Sequence, residues 1–208
     1  MAISGNPAYA PPRNPARMLE AVTREWGGQT DLWIFAYASL IWRPEAEFAE
    51  QRFAMVTGYH RALKMWSRVN RGTPECPGLV FGLLPGGSCK GMVYRIPRAQ
   101  VATALPTLWE REMPNGVYDP KWLRCQTRLG DATTDVTALA FTLSKRSPSH
   151  TGVLSEDTYR QIFSDACGRY GTTRDYAQLT FDKLRTLGIH DRALGKLLQL
   201  VGDEPAAR

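Results

Sequence analysis

The chain has 208 residues, a formal net charge of +6, 43% hydrophobic and 22% charged residues. That length suits one domain with a sizeable core, and the composition excludes a disordered chain. No apolar run reaches the roughly 18 residues needed to span a bilayer. The first thirty residues lack the basic start and apolar core of a signal peptide, so a cytoplasmic location is expected.

Residues 1 to about 15 hold Pro7, Pro11, Pro12 and Pro15 among small residues, the composition of an extended arm. A short helix is read next, with Met18, Leu19 and Val22 on its apolar side, until Gly27-Gly28 breaks it. From 32 to 95 the signals are those of strands. Residues 32–37 are a continuous apolar run, and 53–57 and 63–66 are shorter candidates. Residues 79–84 and 91–96 are predicted to pair as a hairpin about Pro85-Gly86-Gly87. Residues 122–129 and 136–143 read as two more strands around the turn dipeptide Gly130-Asp131. A helix is read around Leu105 and Leu108, restarting at Pro106.

The last third is helical. Ser155 is a candidate N-cap, with Glu156 and Asp157 in the first turn. Tyr159, Ile162, Phe163, Ala166 and Tyr170 follow at helical spacing. Leu179, Leu184 and Leu187 suggest a second helix before Gly188. Asp191 is read as the cap of a third, whose inner face is Leu194, Leu197, Leu198 and Val201. Strands first and helices later predict an α+β fold. The chain is divided accordingly: 1–30, the Pro-rich arm with its short helix; 31–202, one domain; 203–208, a tail.

The basic residues do not cluster beyond pairs such as Lys145-Arg146, and no nucleic-acid module is visible. We read the charge as solvated surface with a modest pull on an anionic substrate. Cys76, Cys89, Cys125 and Cys167 form no C-x-x-C pair and no zinc pattern, and are expected to be small core residues. His60, His150 and His190 are scattered. No metal site is predicted. No G-x-G-x-x-G or P-loop supports a nucleotide, and no cofactor is expected. Oligomeric state is left open.

Three segments could carry chemistry. In the first, the run Trp33-Ile34-Phe35-Ala36 enters Tyr37-Ala38-Ser39-Leu40. This is either a plain strand-to-loop junction or a cradle whose backbone N–H groups hold a carboxylate or a developing oxyanion. Ser39 is not read as a nucleophile, because the G-x-S-x-G elbow is absent. The second, Arg71-Gly72-Thr73-Pro74-Glu75-Cys76-Pro77-Gly78, is explained equally by turn chemistry and by a carboxylate clamp at Arg71. In the third, Glu110-Arg111-Glu112 could be ordinary charges at a helix end. At about 100° per residue, however, Leu105, Leu108 and Glu112 share one stripe and Glu110 points away. Glu112 would then face the interior, where burial makes a carboxylate a better proton acceptor near neutral pH.

The order of these pieces resembles the ChaC-type γ-glutamylcyclotransferases, which cleave glutathione. Tyr37-Ala38-Ser39-Leu40 is similar to the family's Tyr-Gly-Ser-Leu motif, and Gly58-Tyr59-His60-Arg61 to the segment that follows it. Residues 71–78 resemble its Arg-Gly-Thr-Pro turn. Arg111-Glu112-Met113 with Gly116-Val117-Tyr118 resembles its catalytic segment, and Gly171-Thr172-Thr173-Arg174-Asp175-Tyr176 a late element. The resemblance implies a γ-glutamylcyclotransferase-like α+β fold, a small curved or closed mixed sheet with flanking helices. It implies conversion of glutathione to 5-oxoproline and cysteinylglycine without a cofactor. Glu112 matches the catalytic glutamate and residues 37–40 the γ-glutamyl-binding loop; Tyr118 and Tyr176 match substrate contacts. Two positions depart from the pattern: Ala38 replaces a glycine and Thr173 an asparagine. Two alternatives share this fold: action on another γ-glutamyl amide or amine, and a γ-glutamyl-binding module with weak turnover, which Ala38 would favour.

Overall fold

The computed structural model describes residues 13–44, 47–129 and 132–202. The 203–208 tail, Pro7, Pro11 and Pro12 of the arm, and Gly130-Asp131 lie outside the described residues.

Helix α1 (Pro15–Trp26) opens under Asn14, whose side chain accepts from the Arg17 N–H. Pro15 stands in its first turn, where a missing N–H costs nothing. The helix closes on Gly27 in the left-handed conformation, and Val22 is its buried residue.

Five strands close into a barrel: β1 (Leu32–Ala36), β2 (Glu50–Ser67), β3 (Gly78–Ile96), β4 (Asp119–Leu129) and β5 (Ala132–Thr142), in the order β1-β3-β2-β4-β5. The long ladders are antiparallel. Closure is made by short parallel contacts, Ile34 opposite Leu139 and Leu83 opposite Thr142. Closing the sheet gives every strand a neighbour on both sides over at least part of its length. It also buries β1 on both faces, which is why 32–36 reads as an unbroken apolar run.

The hairpin predicted about Pro85-Gly86-Gly87 does not form. β3 runs straight through these residues, and both of its halves pair with β2, from Phe53 opposite Met92 to Met65 opposite Val80. Between Thr57–Ser88 and Tyr59–Pro85, two residues of β3 (Gly86 and Gly87) oppose one of β2 (Gly58). All three have positive φ, so the glycines make a bulge instead of a reversal. The candidates 53–57 and 63–66 are likewise parts of one strand, β2. The chain reverses at 68–77.

Helix α3 (Arg98–Glu112) is continuous across Pro106, where a restart was expected. Proline inside a helix costs about 3 kcal/mol. Val101 and Leu105 before it, with Leu108 and Trp109 after it, are all buried, and this packing holds both halves in line.

Helix α4 (Glu156–Asp165) ends before Tyr170, which the helical spacing had included. A two-residue hairpin, β6 (Cys167–Gly168) with β7 (Gly171–Thr172), follows instead. The N–H groups of Arg169 and Tyr170 donate to the carbonyls of Val69 and Asn70, so tertiary backbone bonds replace the helical ones. Tyr170 is left 46% exposed.

Helix α5 (Thr173–Thr186) starts with a capping box between Thr172 and Asp175. Its inner face is Tyr176, Ala177, Thr180 and Leu184, whereas Leu179 points outward. Helix α6 (Arg192–Gly202) begins where the Leu194 N–H donates to Asp191, and buries Leu194 and Val201. Of the cysteines, Cys89 and Cys125 are core residues; Cys167 is exposed on β6, contrary to expectation.

The 71–78 turn is a crowded backbone crossing. A Cβ on Gly78 would lie 1.9 Å from the Arg71 carbonyl oxygen, whereas one on Gly202 would meet nothing within 4 Å. Gly78→Ala is therefore expected to destabilise the fold by about 1–3 kcal/mol, the cost of overpacking. Gly202→Ala should stay within about 0.5 kcal/mol of wild type. Urea denaturation midpoints of the two variants check this.

Candidate active site

β1 pairs with β3 only along residues 92–96 of the longer strand. Further back, the backbone groups of Leu79, Phe81 and Leu83 that turn away from β2 have no adjacent antiparallel strand. Buried polar groups need partners, and here most of them are side chains. The Leu79 N–H donates to the Thr173 hydroxyl at 2.9 Å. The Phe81 N–H donates to the Tyr176 hydroxyl at 3.4 Å, and its carbonyl accepts from the Tyr118 hydroxyl at 3.2 Å. The Leu83 carbonyl accepts from the Leu143 N–H. On the facing strand, the Tyr37 hydroxyl donates to the Phe141 carbonyl at 2.9 Å.

Three tyrosines from three parts of the chain thus meet: Tyr37 beyond β1, Tyr118 before β4 and Tyr176 on α5. All are buried. Burial is the main reason that the hydroxyls of Tyr37, Tyr118 and Tyr176 titrate far above the ordinary tyrosine range. Each is pushed further by the negative charge of Glu112, which reaches all three rings. At neutral pH the tyrosines are neutral hydrogen-bonding groups and Glu112 is the carboxyl group among them.

Glu112 is the last residue of α3. Its side chain is 13% exposed, with Leu105 and Leu108 buried on the same face and Met113 buried after it. Glu110 is exposed. The helical stripe read from the sequence therefore separates the two carboxylates as expected. Arg111 Nε lies 3.2 Å from Glu112 Oε1.

The 37–40 loop leads from β1 into a single turn, α2 (Ser39–Trp42). Leu40 and Ile41 are buried anchors, and Trp42 Nε1 donates to the Thr180 hydroxyl on α5 at 3.1 Å. The Ser39 side chain offsets part of the upward push on the Tyr176 hydroxyl. Ala38 has φ of −143°, outside the left-handed region, so its Cβ is accommodated where a relative's glycine was expected.

Arg71 is buried and held by protein groups. A guanidinium nitrogen donates to the Tyr170 carbonyl, and the guanidinium lies 5.0 Å from the centre of the Tyr176 ring. Its backbone N–H donates to Ser67 and its carbonyl accepts from the Thr173 hydroxyl. This geometry makes Arg71 a brace between the 71–78 turn, the β6–β7 hairpin and Tyr176. Thr173 is fully buried and ties Leu79 to Arg71. Sequence reasoning noted Thr173 only as a departure and missed Trp42 as an anchor, because the partners of both are remote in sequence.

Among the described residues, no group of three or more His, Cys, Asp or Glu side chains could hold a metal ion. Two surface depressions are lined by other residues, one by Phe53, Met55 and Lys90, the other by Phe48, Tyr94 and Lys183. The candidate site is located by its polar chemistry and not by the size of a cavity.

Residues 32–204 match the family model of ChaC-like proteins. The chain is 35% identical over 167 residues to the glutathione-specific gamma-glutamylcyclotransferase of Escherichia coli (strain K12), covering 80% of this chain and 71% of that protein. It is 30% identical over 184 residues to glutathione-specific gamma-glutamylcyclotransferase 1 of Homo sapiens, covering 86% and 82%. A crystal structure of a gamma-glutamyl cyclotransferase specific to glutathione from yeast is similar in fold, with a TM-score of 0.75 at 18% identity, covering 84% of this chain and 96% of that one. The barrel is thus a γ-glutamylcyclotransferase fold. Since the family match takes in everything from the first barrel strand through α6, this chain belongs to the ChaC-like family.

Proposed function

We propose that this chain is a glutathione-specific γ-glutamylcyclotransferase, releasing 5-oxoproline and cysteinylglycine with Glu112 as general acid and base. The observation that carries the assignment of Glu112 is its position: a largely buried carboxyl group at the end of α3, whose charge acts on the buried hydroxyls of Tyr37, Tyr118 and Tyr176. Family membership and the activity named for the relatives support the choice of substrate.

The reaction is an intramolecular aminolysis. The substrate's own α-amine attacks its γ-carbonyl carbon. A C–N bond closes the five-membered ring, and the γ-amide C–N bond breaks. Glu112 takes the proton from the attacking amine and returns it to the departing cysteinyl amine. The backbone N–H groups of the 37–40 loop hold the oxygen on which charge develops. Tyr118 and Tyr176, neutral and buried, line the γ-glutamyl chain and keep it bent; because both reacting groups belong to one molecule, this positioning supplies much of the rate. Arg71 supports the site through Tyr170 and Tyr176. No cofactor, nucleic acid or membrane enters this scheme. We place the enzyme in the cytoplasm, a setting in keeping with its four free cysteines. Among the described residues, no helix is long and apolar enough to cross a membrane.

The binding-module alternative takes its support from Ala38, through strain in the loop or a narrowed cradle. With φ at −143° the alanine imposes no left-handed conformation, and the reading with turnover is preferred. Action on another γ-glutamyl amide is separated by comparing a panel of γ-glutamyl compounds.

Purified protein incubated with glutathione should release 5-oxoproline and cysteinylglycine, followed by mass, and a chelator should leave the rate unchanged. Intact glutathione after prolonged incubation with concentrated enzyme would overturn the assignment. Glu112→Gln keeps the shape but cannot accept the proton, and kcat should fall at least about 100-fold. Glu110→Gln should stay within a few-fold of wild type; equal losses in two folded variants would remove Glu112 from its role. Ala38→Gly should change kcat/KM by less than about tenfold, since about 1.4 kcal/mol separates rates tenfold and no left-handed strain is there to be relieved. Steady-state kinetics of that variant against wild type check it.

A further inference from the structure

Arg61 lies on β2 with its side chain only 4% exposed. Its guanidinium is almost completely engaged. Nε and Nη2 donate to one oxygen of Asp191, at 2.9 and 2.7 Å. Nη1 donates to two backbone carbonyls, those of Tyr37 at 2.8 Å and Lys90 at 3.1 Å. The other Asp191 oxygen accepts from the Leu194 N–H and so caps α6. A buried cation is tolerated only with this degree of pairing. The planar fork of arginine reaches a carboxylate and two carbonyls at once, which a lysine ammonium cannot do.

The two carbonyls mark the place where the barrel opens. The β1–β3 ladder ends at Ala36 opposite Met92. One step further, Tyr37 leaves the sheet, and Arg61 bridges its carbonyl to that of Lys90 on β3. The ladder can no longer orient the Tyr37–Ala38 peptide, and the guanidinium does so instead.

This has a consequence at the next atom along the chain. In a trans peptide the C=O and N–H point in opposite directions. Holding the Tyr37 carbonyl on the Arg61 side turns the Ala38 N–H to the other side. Among the described residues, that N–H donates to no protein acceptor. A charge-assisted bond to the carbonyl also polarises the peptide, which strengthens its N–H as a donor.

We infer that Arg61 is a positioning residue for the reaction: through the Tyr37 carbonyl it aims and polarises the Ala38 N–H toward the oxygen of the γ-carbonyl, and Asp191 holds Arg61 in place. The inference rests on the cyclotransferase reading above and adds to it a residue pair that touches no substrate. It also joins the C-terminal helix to the substrate loop, because the carboxylate that caps α6 is the one that orients Arg61.

The test is steady-state kinetics on the full chain with glutathione, beside thermal unfolding of each variant. Arg61→Lys keeps the charge but loses the fork. Its kcat should fall at least about tenfold with KM within about threefold, since the donor matters most where charge develops. Arg174→Lys is the structural comparator. Arg174 ties α5 to the Val201 carbonyl at the far end of α6 and reaches no part of the loop. Its kcat should match wild type even where its unfolding temperature drops as far as that of Arg61→Lys. Should Arg61→Lys fail to fold, Asp191→Asn decides. Asparagine still caps the helix but no longer pairs a charge with Arg61, and kcat should fall about three- to tenfold. Wild-type kcat in folded Arg61→Lys, a change confined to KM, or wild-type kcat in Asp191→Asn when that variant decides, would overturn the inference while leaving the cyclotransferase reading intact. Wild-type protein that leaves glutathione untouched would overturn both.

Discussion

Where β3 runs back beyond the end of β1, the backbone groups of Leu79 and Phe81 turn away from β2 and must find partners inside the protein. An amide buried without a hydrogen bond costs on the order of 1–3 kcal/mol, so such an edge cannot be left open. Thr173, Tyr176 and Tyr118 supply the partners. In doing so they draw α5 and the segment before β4 against the barrel. The two tyrosine hydroxyls among these partners also feel the negative charge of Glu112. One requirement, that the edge of a barrel strand be satisfied, thus brings together the polar side chains on which the proposed chemistry depends.

The surrounding structure keeps that edge accessible to α5. Residues 68–72 cross the β6–β7 hairpin at backbone distance, and Gly72, Gly78 and Gly168 each stand where a Cβ would collide with a neighbouring main chain. Only this close approach lets Arg71 reach the Tyr170 carbonyl and the face of the Tyr176 ring together. Arg71 and Arg61 have a similar physical character: each is a largely buried guanidinium that binds main-chain carbonyls, and each holds a loop at a point where regular pairing has stopped. The difference lies in what is held, the late helical segment by Arg71 and the start of the 37–40 loop by Arg61.

Ala38 illustrates how local chemistry and tertiary placement combine. A glycine in a ligand-binding loop suggests either a positive φ or a very close approach of backbone to ligand. The observed φ removes the first reason for needing glycine here. Thr173 illustrates substitution of another kind. Its hydroxyl both accepts from Leu79 and donates to Arg71, so a small β-branched side chain makes the link between the β3 edge and the 71–78 turn.

Much was legible in the sequence because it depended on neighbours along the chain. The caps of α4 and α6 and the stripe that turns Glu112 inward and Glu110 outward are set by the 3.6-residue period of a helix and by side chains three positions away, and the apolar run of β1 shows as an unbroken stretch of neighbouring residues. The likeness of five short segments to known motifs carried the family and named Glu112, Tyr37, Tyr118 and Tyr176 before any of them could be placed. What the sequence could not decide were events settled by partners remote in the chain. Gly86 and Gly87 suit a turn and a bulge equally, and only the pairing of β3 with the whole of β2 chose the bulge. Pro106 should break a helix by its local chemistry, yet burial on both sides of it kept α3 continuous. Tyr170 left a helical stripe because the carbonyls of Val69 and Asn70 offered hydrogen bonds from another loop. Arg61 gave no local sign of its role, since its carboxylate partner lies 130 residues away. Short-range geometry is written in the spacing of residues, whereas the satisfaction of buried polar groups is a property of the closed barrel and was decided only when the chain came together.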